Sequence, residues 1–452
     1  MSKGNSKQIA GWEQSNARAL SVRVLERVKD GAYSNLQLNQ LAKASKLEER
    51  DIHLLTTIVY GVIQHRLTLE YWLKPFLRGN VDPFVKELLM ISVYQMQYLD
   101  KIPQHAIFDE AIQIAKRRGH DGIRKYVTGV LHSLERQGLP EFTTIKDPIE
   151  QLSIEASLPV WLLKQLESEV GHEKMVKIAR SINDAPAQSA RINRAVTTQE
   201  QVTTVLEAEG FEVEASKVTP EALRIKHGHV ASSKAFEDGL LTLQDESAML
   251  MVPNLNLTPS MKVLDAAAAP GGKTTQIASY LDPKQGGIVE ALDIHPHKIK
   301  LIEENAQRLH VSDQVHAQEL DARKVDEQFD DETFDAILVD APCSGFGLLR
   351  RKPEIRYEKS YADSMKLHQI QLDMLNAVAP KLKKGGNLVY GTCTILEIEN
   401  DAVVQDFLEQ NSDYELVPTI GPLPQRSQLT MQVFPDDFDS DGFFVATLRK
   451  KK

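Results

Sequence analysis

The residues Phe334-Asp-Ala-Ile-Leu-Val-Asp-Ala-Pro-Cys-Ser-Gly345 fix the architecture of the C-terminal half of this chain. Ala336–Val339 is a short apolar run of strand-forming residues, as expected for a central strand covered on both faces. Asp340 ends this run, and Pro342 cannot continue a ladder because it has no N–H group. We therefore predict that Asp340 and Cys343 lie just past a strand's C-terminal end, where ligands bind in open α/β sheets.

A similar pattern follows fifty positions later. Lys383–Gly386 predicts a turn, Asn387–Tyr390 a strand and Gly391–Thr394 a strand-end loop. Cys343 and Cys393 are the two cysteines of the 452-residue chain. Because both follow strands of one predicted sheet, we expect both thiols at the same edge, which makes chemistry there the first hypothesis.

Strand and helix patterns alternate along the chain from Lys262 onward. Strands are predicted at Lys262–Ala266, Ile288–Leu292, Val315–Gln318, Phe334–Val339, Leu388–Tyr390 and Gly442–Leu448, and helices at Lys273–Tyr280, Lys298–Leu309, around Leu367–Val378 and at Glu399–Gln410. Alternation of this kind predicts a mostly parallel, doubly wound α/β sheet of Rossmann-like type.

The N-terminal part has a different pattern. Residues 6 to about 140 show apolar positions at helical spacing without strand alternation, which predicts an all-α bundle. Helical patterns continue over residues 145–180, and the turn-forming cluster Asn183–Pro186 then begins a small α+β module of about 70 residues. We therefore expect three parts: 1–145, 146–255 and 256–452.

The composition is that of an ordinary soluble globular protein, with 42% apolar and 26% charged residues. No apolar run is long enough for a membrane span, and Met1–Lys7 lacks the core of a signal peptide, so we expect a cytoplasmic monomer. The cysteine and histidine spacing predicts no metal site. The net charge of −10 is uneven, because residues 1–145 carry 20 Lys and Arg against 15 Asp and Glu. Lys116–Arg118 is the candidate for a phosphate-facing patch or for a solvated helix face.

Asp265-Ala-Ala-Ala-Ala-Pro-Gly-Gly-Lys-Thr-Thr275 opens the first strand–helix turn of the sheet. Small residues allow a ligand to approach the backbone closely, and Asp293 and Asp321 follow the next two strands. Together these features predict a nucleoside-type cofactor, with Asp293 on ribose hydroxyls and Asp321 within reach of a base. A phosphate-binding loop is the rival interpretation, but it requires glycine at position 267, which is alanine here.

Two thiols and Asp340 facing such a cofactor predict covalent catalysis on an electron-poor ring. Addition of a thiolate to C6 of cytosine turns the ring into an enamine that attacks an electrophilic methyl group through C5. A carboxylate on N3 and the exocyclic amine stabilises the charge, and a base then removes the C5 proton. For either cysteine alone, a small buried apolar role is the alternative.

These motifs resemble the RNA cytosine-C5 methyltransferase family, which uses S-adenosylmethionine: Asp340–Gly345, Thr392–Thr394, Ala268–Thr274, Arg350–Tyr357 and Asp441–Phe444. The resemblance implies a class I methyltransferase domain, with Cys393 as the nucleophile and Cys343 assisting proton removal and product release. It implies cofactor contacts from Ala267, Ala268, Ala269, Pro270, Gly271, Gly272, Lys273, Asp293, Asp321 and Asp340. The chain departs from the family at Ala267, where cysteine is frequent, and at Thr394, where serine is usual.

The N-terminal motifs Gly31–Asn39, Val59–Ile63 and Ile102–Ala106 resemble the NusB-like RNA-binding domain of the members that act on bacterial small-subunit ribosomal RNA. The resemblance thus covers essentially the whole chain and implies a cytosine of 16S ribosomal RNA as the substrate. Arg350–Lys352 is a further candidate for holding phosphates near the site. The alternatives are another RNA, such as tRNA or 23S rRNA, a non-catalytic RNA-binding factor, or a protein or small-molecule methyltransferase.

Overall fold

The computed structural model of the chain describes residues 9–32, 34–422 and 429–452. The expectations for Met1–Lys7, and for Tyr33 within the first bundle motif, lie outside these residues. The described chain divides into two units. The helical unit runs to Asn183 and includes Lys352–Glu358, and the sheet unit contains residues 184–351 and 359–452.

The helices of the described residues are α1 (Ala17–Lys29), α2 (Ser34–Ala44), α3 (Glu49–Gln64), α4 (Arg66–Leu73), α5 (Pro83–Tyr98), α6 (Gln104–Arg118), α7 (Asp121–Gln137), α8 (Pro148–Ala156), α9 (Val160–Val170), α10 (His172–Ser181), α11 (Gln199–Ala208), α12 (Lys234–Glu237), α13 (Gly272–Ala278), α14 (Pro296–Arg308), α15 (Ile355–Glu358), α16 (Tyr361–Val378) and α17 (Asp401–Gln410). The strands are β1 (Gln188–Ile192), β2 (Glu212–Ala215), β3 (Ala222–His227), β4 (Leu241–Leu243), β5 (Lys262–Asp265), β6 (Ile288–Asp293), β7 (Val315–Glu319), β8 (Phe334–Asp340), β9 (Leu382–Thr392), β10 (Tyr414–Val417), β11 (Met431–Val433) and β12 (Phe443–Lys450).

The helical unit confirms the predicted all-α bundle. Leu20 and Val24, which recur at helical spacing in the sequence, are fully buried on α1. Helix starts follow local chemistry, since Asn16 accepts a hydrogen bond from the Ala19 N–H at the start of α1. Asp147 caps α8 in the same way, with Pro148 at the first helical position. No helix of the described residues is long and apolar enough to cross a membrane.

The α+β module forms the first part of the sheet unit. Its sheet has the strand order β2-β3-β1-β4, and every pairing in it is antiparallel. Thr198 and Gln201 form a reciprocal capping box that starts α11. The predicted small α+β module is thus confirmed.

The second sheet has the order β10-β12-β9-β8-β5-β6-β7, and β11 also pairs with β12, at the first residues of that strand. The pairings from β9 to β7 are parallel, whereas β12 pairs antiparallel with β9 and β10. The predicted doubly wound sheet is confirmed, and the antiparallel edge makes it a mixed sheet. Ala336–Val339 is fully buried at its centre, as expected.

One local prediction is wrong. Lys383–Gly386 forms no separate turn, because β9 begins at Leu382 and includes these residues. The register between β8 and β9 shifts between Phe334 and Ala336, which accommodates the glycine pair as an irregularity of the ladder. Beyond this shift the two strands pair regularly up to Asp340.

Arg356 fixes the segment Lys352–Glu358 within the helical unit. Its guanidinium group is fully buried and donates to the carbonyl oxygens of Gln64 at 2.9 Å, Ala156 at 3.2 Å and Ile182 at 3.0 Å. A buried charge is tolerated when hydrogen bonds replace its hydration. The arginine therefore connects α3, α8 and α10 through one side chain.

We predict that Arg356→Met destabilises the helical unit by about 2–4 kcal/mol, because several buried carbonyl groups lose their donor. The measurement is the urea midpoint followed by far-ultraviolet circular dichroism. Arg124→Met is the matched control, since Arg124 pairs with the exposed Asp121 on the same helix and its loss should leave the midpoint unchanged. Equal midpoints for both variants would contradict the anchoring role of Arg356.

Candidate active site

The two thiols lie in contact at the carboxyl edge of the parallel strands. Cys343 Sγ and Cys393 Sγ are 3.1 Å apart, and both side chains are half-buried. The pairing of β8 with β9 explains this contact, because Asp340 lies opposite Gly391 at the end of the ladder. Cys343 follows β8 by three residues, and Cys393 follows Gly391 by two. The parallel register of the two strands therefore brings both sulfurs to the same edge of the sheet.

The two cysteine loops are tied together by hydrogen bonds. The Ala341 N–H donates to the Gly391 carbonyl at 2.9 Å, and the Gly347 N–H donates to the Cys393 carbonyl at 2.9 Å. The hydroxyl oxygens of Ser344 and Thr394 are 2.9 Å apart. Threonine at position 394, the departure noted in the sequence, therefore keeps the hydroxyl contact that a serine would make.

Lys273 and Asp340 form an ion pair beside the thiols, with Nζ 2.7 Å from Oδ2. Burial acts to lower the pKa of Lys273, but the charge and hydrogen bond of Asp340, together with Cys393 and Asp265, outweigh it and raise that pKa. The ammonium group also lies 5.1 Å from the ring centroid of Phe443. Lys273 is thus a fixed positive charge in the site, which the sequence analysis had assigned only to a backbone contact.

The surroundings of Cys343 disfavour its thiolate form. The hydrogen bond to Cys393 and burial raise the pKa of Cys343 well above its usual value, and nearby negative charge from Glu399 and Asp340 acts in the same direction.

The loop from Ala267 to Gly272 leads from β5 into α13 and ends in two glycines. Gly271 has φ +103°, and a side chain there would meet the Ile302 backbone at 3.1 Å. A Cβ on Gly272 would make an ordinary van der Waals contact with the Gln244 side chain, at 3.7 Å. Ala267 is partly buried and packs against the core of the sheet. The alanine found there in place of cysteine therefore has a packing role.

The two predicted cofactor acids have different surroundings. Asp293 ends β6 and is 8% exposed, and its Oδ1 accepts a hydrogen bond from the His295 N–H at 2.9 Å. Asp321 lies two residues beyond β7, where both carboxylate oxygens contact Arg323, at 3.0 Å and 2.7 Å. The Arg323 hydrogen bonds lower the pKa of Asp321. Both acids follow neighbouring parallel strands, as the sequence indicates.

Asp265 is a buried carboxyl group at the end of β5. Its Oδ2 accepts a hydrogen bond from the Thr274 hydroxyl at 2.7 Å, whereas Oδ1 receives none of ordinary geometry from the described residues. Burial, together with the charge of Asp340, raises the pKa of Asp265 to about 7, although Thr274, Lys273 and the Ala267 N–H oppose this.

Arg191 on β1 is a site-supporting residue that the sequence analysis missed. It is 1% exposed, and its guanidinium group donates to the Thr275 hydroxyl at 2.9 Å and to the Gly272 carbonyl at 3.3 Å. It also donates to the Gln244 amide oxygen at 2.9 Å. The α+β module therefore supports the glycine loop directly, and burial lowers the pKa of Arg191 to about 10.

The hypothesis that Arg350–Lys352 holds phosphates is wrong for its arginines. Arg350 is 6% exposed and donates to the Pro435 carbonyl. Arg351 contacts Asp441 at 2.7 Å and Asp245 at 3.0 Å, so its charge is already balanced. These arginines hold the loop after Cys343 in place.

The basic patch on the helical unit is partly engaged. Arg118 pairs with Glu26 and lies over the Phe84 ring, with its guanidinium carbon 4.8 Å from the ring centroid. Lys116 and Arg117 are exposed in the last turn of α6. The two exposed cations are the part of the patch that solvent and ligands reach.

Comparisons with known families cover most of the chain. The family described as 16S rRNA methyltransferase RsmB/F matches residues 252–449, and the NusB family matches residues 15–136. A ferredoxin-like domain of the RsmF/B-like methyltransferases matches residues 158–231. The predicted architecture of bundle, α+β module and methyltransferase domain is therefore confirmed.

Curated relatives match over the full length. The probable ribosomal RNA small subunit methyltransferase B of Bacillus subtilis (strain 168) is 42% identical over 450 residues, covering 97% of this chain and 100% of that protein. The ribosomal RNA small subunit methyltransferase B of Photorhabdus laumondii is 32% identical, covering 96% and 99%.

Two solved structures have similar folds. The crystal structure of PH0851 has a TM-score of 0.81 at 27% identity and covers 98% of this chain and 99% of its own. NSun6 from Pyrococcus horikoshii, solved with the S-adenosylmethionine analogue SFG, has a TM-score of 0.58 at 22% identity, covering 65% and 98%. The second likeness concerns the fold alone.

The raised pKa of Asp265 predicts a dependence of stability on pH. The folded protein binds this proton more tightly than the unfolded chain, so its contribution is full below about pH 4 and is lost as the pH rises through about 7. Relative to Asp265→Asn, which keeps an acceptor for Thr274, the wild type should lose up to about 4 kcal/mol between about pH 4 and 8.

Urea unfolding of the two proteins across this range measures the difference. Asp313→Asn, an exposed change in the same unit, is the control and should give no such divergence. Parallel stability curves for the wild type and Asp265→Asn would contradict the proton assigned to this buried carboxyl group.

Proposed function

Since the chain belongs to the 16S rRNA methyltransferase RsmB/F family, an S-adenosylmethionine-dependent methyltransferase family, we propose that it methylates C5 of a cytosine in 16S ribosomal RNA. The reaction proceeds through a covalent bond between Cys393 and C6 of the cytosine. Cys343 and Asp340 are the other proposed catalytic residues. The names of the relatives favour small-subunit ribosomal RNA over tRNA or 23S rRNA.

The observation that carries this proposal is the contact between the two sulfurs at 3.1 Å beside the Lys273–Asp340 ion pair. A methyltransferase that acts on an oxygen or nitrogen nucleophile has no use for two adjacent thiols. Cytosine C5 is a poor nucleophile, and addition of a thiolate to C6 is the step that activates it. The paired thiols therefore favour carbon methylation of a pyrimidine.

The residues of the glycine loop fit S-adenosylmethionine, which supplies an electrophilic methyl group when it is bound. We assign its contacts to the loop Ala267–Lys273 and to the acids Asp293, Asp321 and Asp340. The small residues of this loop let a ligand approach its backbone closely, which supports the assignment. Asp293 ends β6 at the carboxyl edge of the sheet, which supports its assignment to ribose hydroxyls.

Bond formation and cleavage at the cytosine balance as follows. Cys393 Sγ bonds to C6, and the electron pair of the C5–C6 double bond makes C5 nucleophilic toward the methyl group. A base then removes the C5 proton, the double bond re-forms, and the Cys393–C6 bond breaks with its electrons returning to sulfur. The net reaction releases one proton to solvent.

Asp340 and Cys343 act on the ring at different moments. Asp340 Oδ2 is held by Lys273 and its side chain is 29% exposed, so the carboxylate is accessible to the exocyclic amine and to a protonated N3. The hydrogen bond to Cys393 and burial raise the pKa of Cys343. Its thiolate, formed when the thiol loses its proton to solvent, is therefore a strong base toward the C5 proton.

The target cytosine must leave any base stack before a thiol can reach C6. Single-stranded loops of RNA permit this at the lowest energetic cost, which fits an RNA substrate. A matching NusB family domain at residues 15–136 supplies an RNA-binding module in the same chain.

The test is transfer of labelled methyl groups from S-adenosylmethionine to ribosomal RNA from cells that lack this protein. We expect label in 5-methylcytosine of 16S RNA with the wild type, and none with Cys393→Ala, which should still bind the cofactor. Bisulfite mapping then identifies the cytosine. Label in another base, or turnover by Cys393→Ala, would overturn the proposal.

Cys343→Ala should complete methyl transfer but release its product slowly, because the base that precedes elimination is gone. We expect a protein–RNA adduct that survives denaturing electrophoresis and requires S-adenosylmethionine. The double variant Cys343→Ala/Cys393→Ala is the control and should form no adduct. Absence of an adduct with Cys343→Ala alone would reject the release role.

A further inference from the structure

Glu399 is a fully buried carboxylate that the mechanism above does not use. It lies in the turn between β9 and α17, six residues after Cys393. Its Oε2 accepts a hydrogen bond from the Ser344 N–H at 2.8 Å and another from the Gln371 side-chain amide at 3.1 Å. Its Oε1 has no hydrogen-bond partner among the described residues.

The contacts of Glu399 converge on the loop that carries Cys343. Ser344 is the next residue after Cys343, so the hydrogen bond from its N–H to Glu399 restrains the loop directly beside the thiol. Gln371 of α16 also donates to the Pro342 carbonyl at 3.0 Å. The peptide groups on both sides of Cys343 are therefore held by the pair Glu399 and Gln371.

The turn that carries Glu399 is itself held from two sides. His368 of α16 contacts the Ile398 carbonyl at 2.6 Å and Asp406 of α17 at 2.8 Å. The Tyr390 hydroxyl donates to the Glu399 carbonyl at 2.6 Å. Because this turn is held from two sides, the buried Glu399 carboxylate is fixed in place. It therefore also fixes the Ser344 N–H and the Gln371 amide, which donate hydrogen bonds to it.

We propose that Glu399 is a positioning residue that fixes the Cys343 loop against Cys393 and determines which of the two facing sulfurs attacks the substrate. This inference rests on the proposed function for its meaning in turnover, although its effect on the two thiols exists without RNA.

The charges that face Cys343 are the reason why Glu399 would determine which of the two sulfurs attacks the substrate. Glu399 from its turn and Asp340 from β8 are negative, and both raise the pKa of Cys343. Cys393 and Tyr390 face it from β9 and its loop. Lys273 is positive, but it is bonded to Asp340 rather than to Glu399. Glu399 forms no ion pair with the described residues, so its charge acts on Cys343 without a bonded cation to cancel it.

The first experiment compares the reactivity of the two thiols in the full chain without RNA. Limiting iodoacetamide is added across a range of pH, and the initial alkylation of each cysteine is measured by peptide mass spectrometry. We expect Cys393 to react before Cys343 in the wild type. Glu399→Gln should raise Cys343 alkylation at neutral pH several-fold and lower its pH midpoint, because a negative charge that raises the pKa of Cys343 is removed.

The matched control is Glu397→Gln, which removes an exposed carboxylate from the same turn. It should leave both alkylation profiles unchanged, because the group lies in solvent, where charges are screened. Equal Cys343 profiles in the wild type and Glu399→Gln would overturn the inference even if the enzyme is fully active.

The second experiment separates the hydrogen bond from the charge. Glutamine at 399 keeps an acceptor for the Ser344 N–H, whereas Glu399→Ala leaves that donor buried and unpaired. We expect kcat to fall roughly tenfold or more in Glu399→Ala with unchanged affinity for S-adenosylmethionine, and to recover in part in Glu399→Gln. If glutamine restores nothing, the hydrogen bond does not position the loop.

The outcomes distinguish the two proposals. A wild type that alkylates as expected but methylates no cytosine rejects the proposed function and leaves the assignment of Glu399 standing. If the wild type methylates cytosine but Glu399→Gln does not change the alkylation of either cysteine, the proposed function stands and the assignment of Glu399 is rejected. Where Glu399→Ala fails to fold, the alkylation profile of Glu399→Gln decides alone.

Discussion

The parallel pairing of β8 with β9 is the constraint on which the site depends. Side chains that follow two parallel strands meet at one edge, and the pairing of Asp340 with Gly391 sets how far each loop reaches beyond it. A shift of one residue in this register would turn the side chains that follow it to the opposite face of the sheet. The sulfur contact of 3.1 Å therefore depends on the backbone hydrogen bonds that pair β8 with β9.

Holding the two loops requires polar groups in places where water is absent. The chain meets this need with buried side chains that bind backbone groups: Arg191 under the glycine loop, Glu399 behind Cys343 and Arg350 at the Pro435 carbonyl. Each carries a charge whose desolvation is costly unless hydrogen bonds replace water. Burying charge in this way stabilises a loop in one conformation, which catalysis by a sulfur pair requires.

The sequence predicted the parts of this arrangement that follow from local pattern. Apolar runs such as Ala336–Val339 indicated buried strands, and the rule that parallel strands end at one edge predicted that Cys343 and Cys393 lie together. The same rule placed Asp293 and Asp321 beside the glycine loop. The helices of the N-terminal bundle followed from the apolar spacing of residues such as Leu20 and Val24.

Features set by distant parts of the chain could not be predicted in this way. Arg191 reaches the glycine loop from 81 residues away, and nothing around it in the sequence marks that contact. Arg350 looked like a surface cation because arginine is usually exposed, yet it is buried against the Pro435 carbonyl. Glycines suggested a turn at Lys383–Gly386, but these residues form an irregular part of β9 between Leu382 and Asn387, two positions that pair with β8.

The charge distribution explains why an enzyme of RNA would carry a separate helical domain. Around the thiols, Lys273 is paired with Asp340 and Arg351 with two carboxylates, so these cations are not available to phosphates. Affinity for a polyanion depends largely on free cations that displace condensed counterions. Residues 1–145 carry an excess of basic residues, while the remainder of the chain is strongly acidic. Paired charges hold the groups of the site in fixed positions, but they attract phosphates only weakly. The attraction for RNA therefore has to come from another part of the chain.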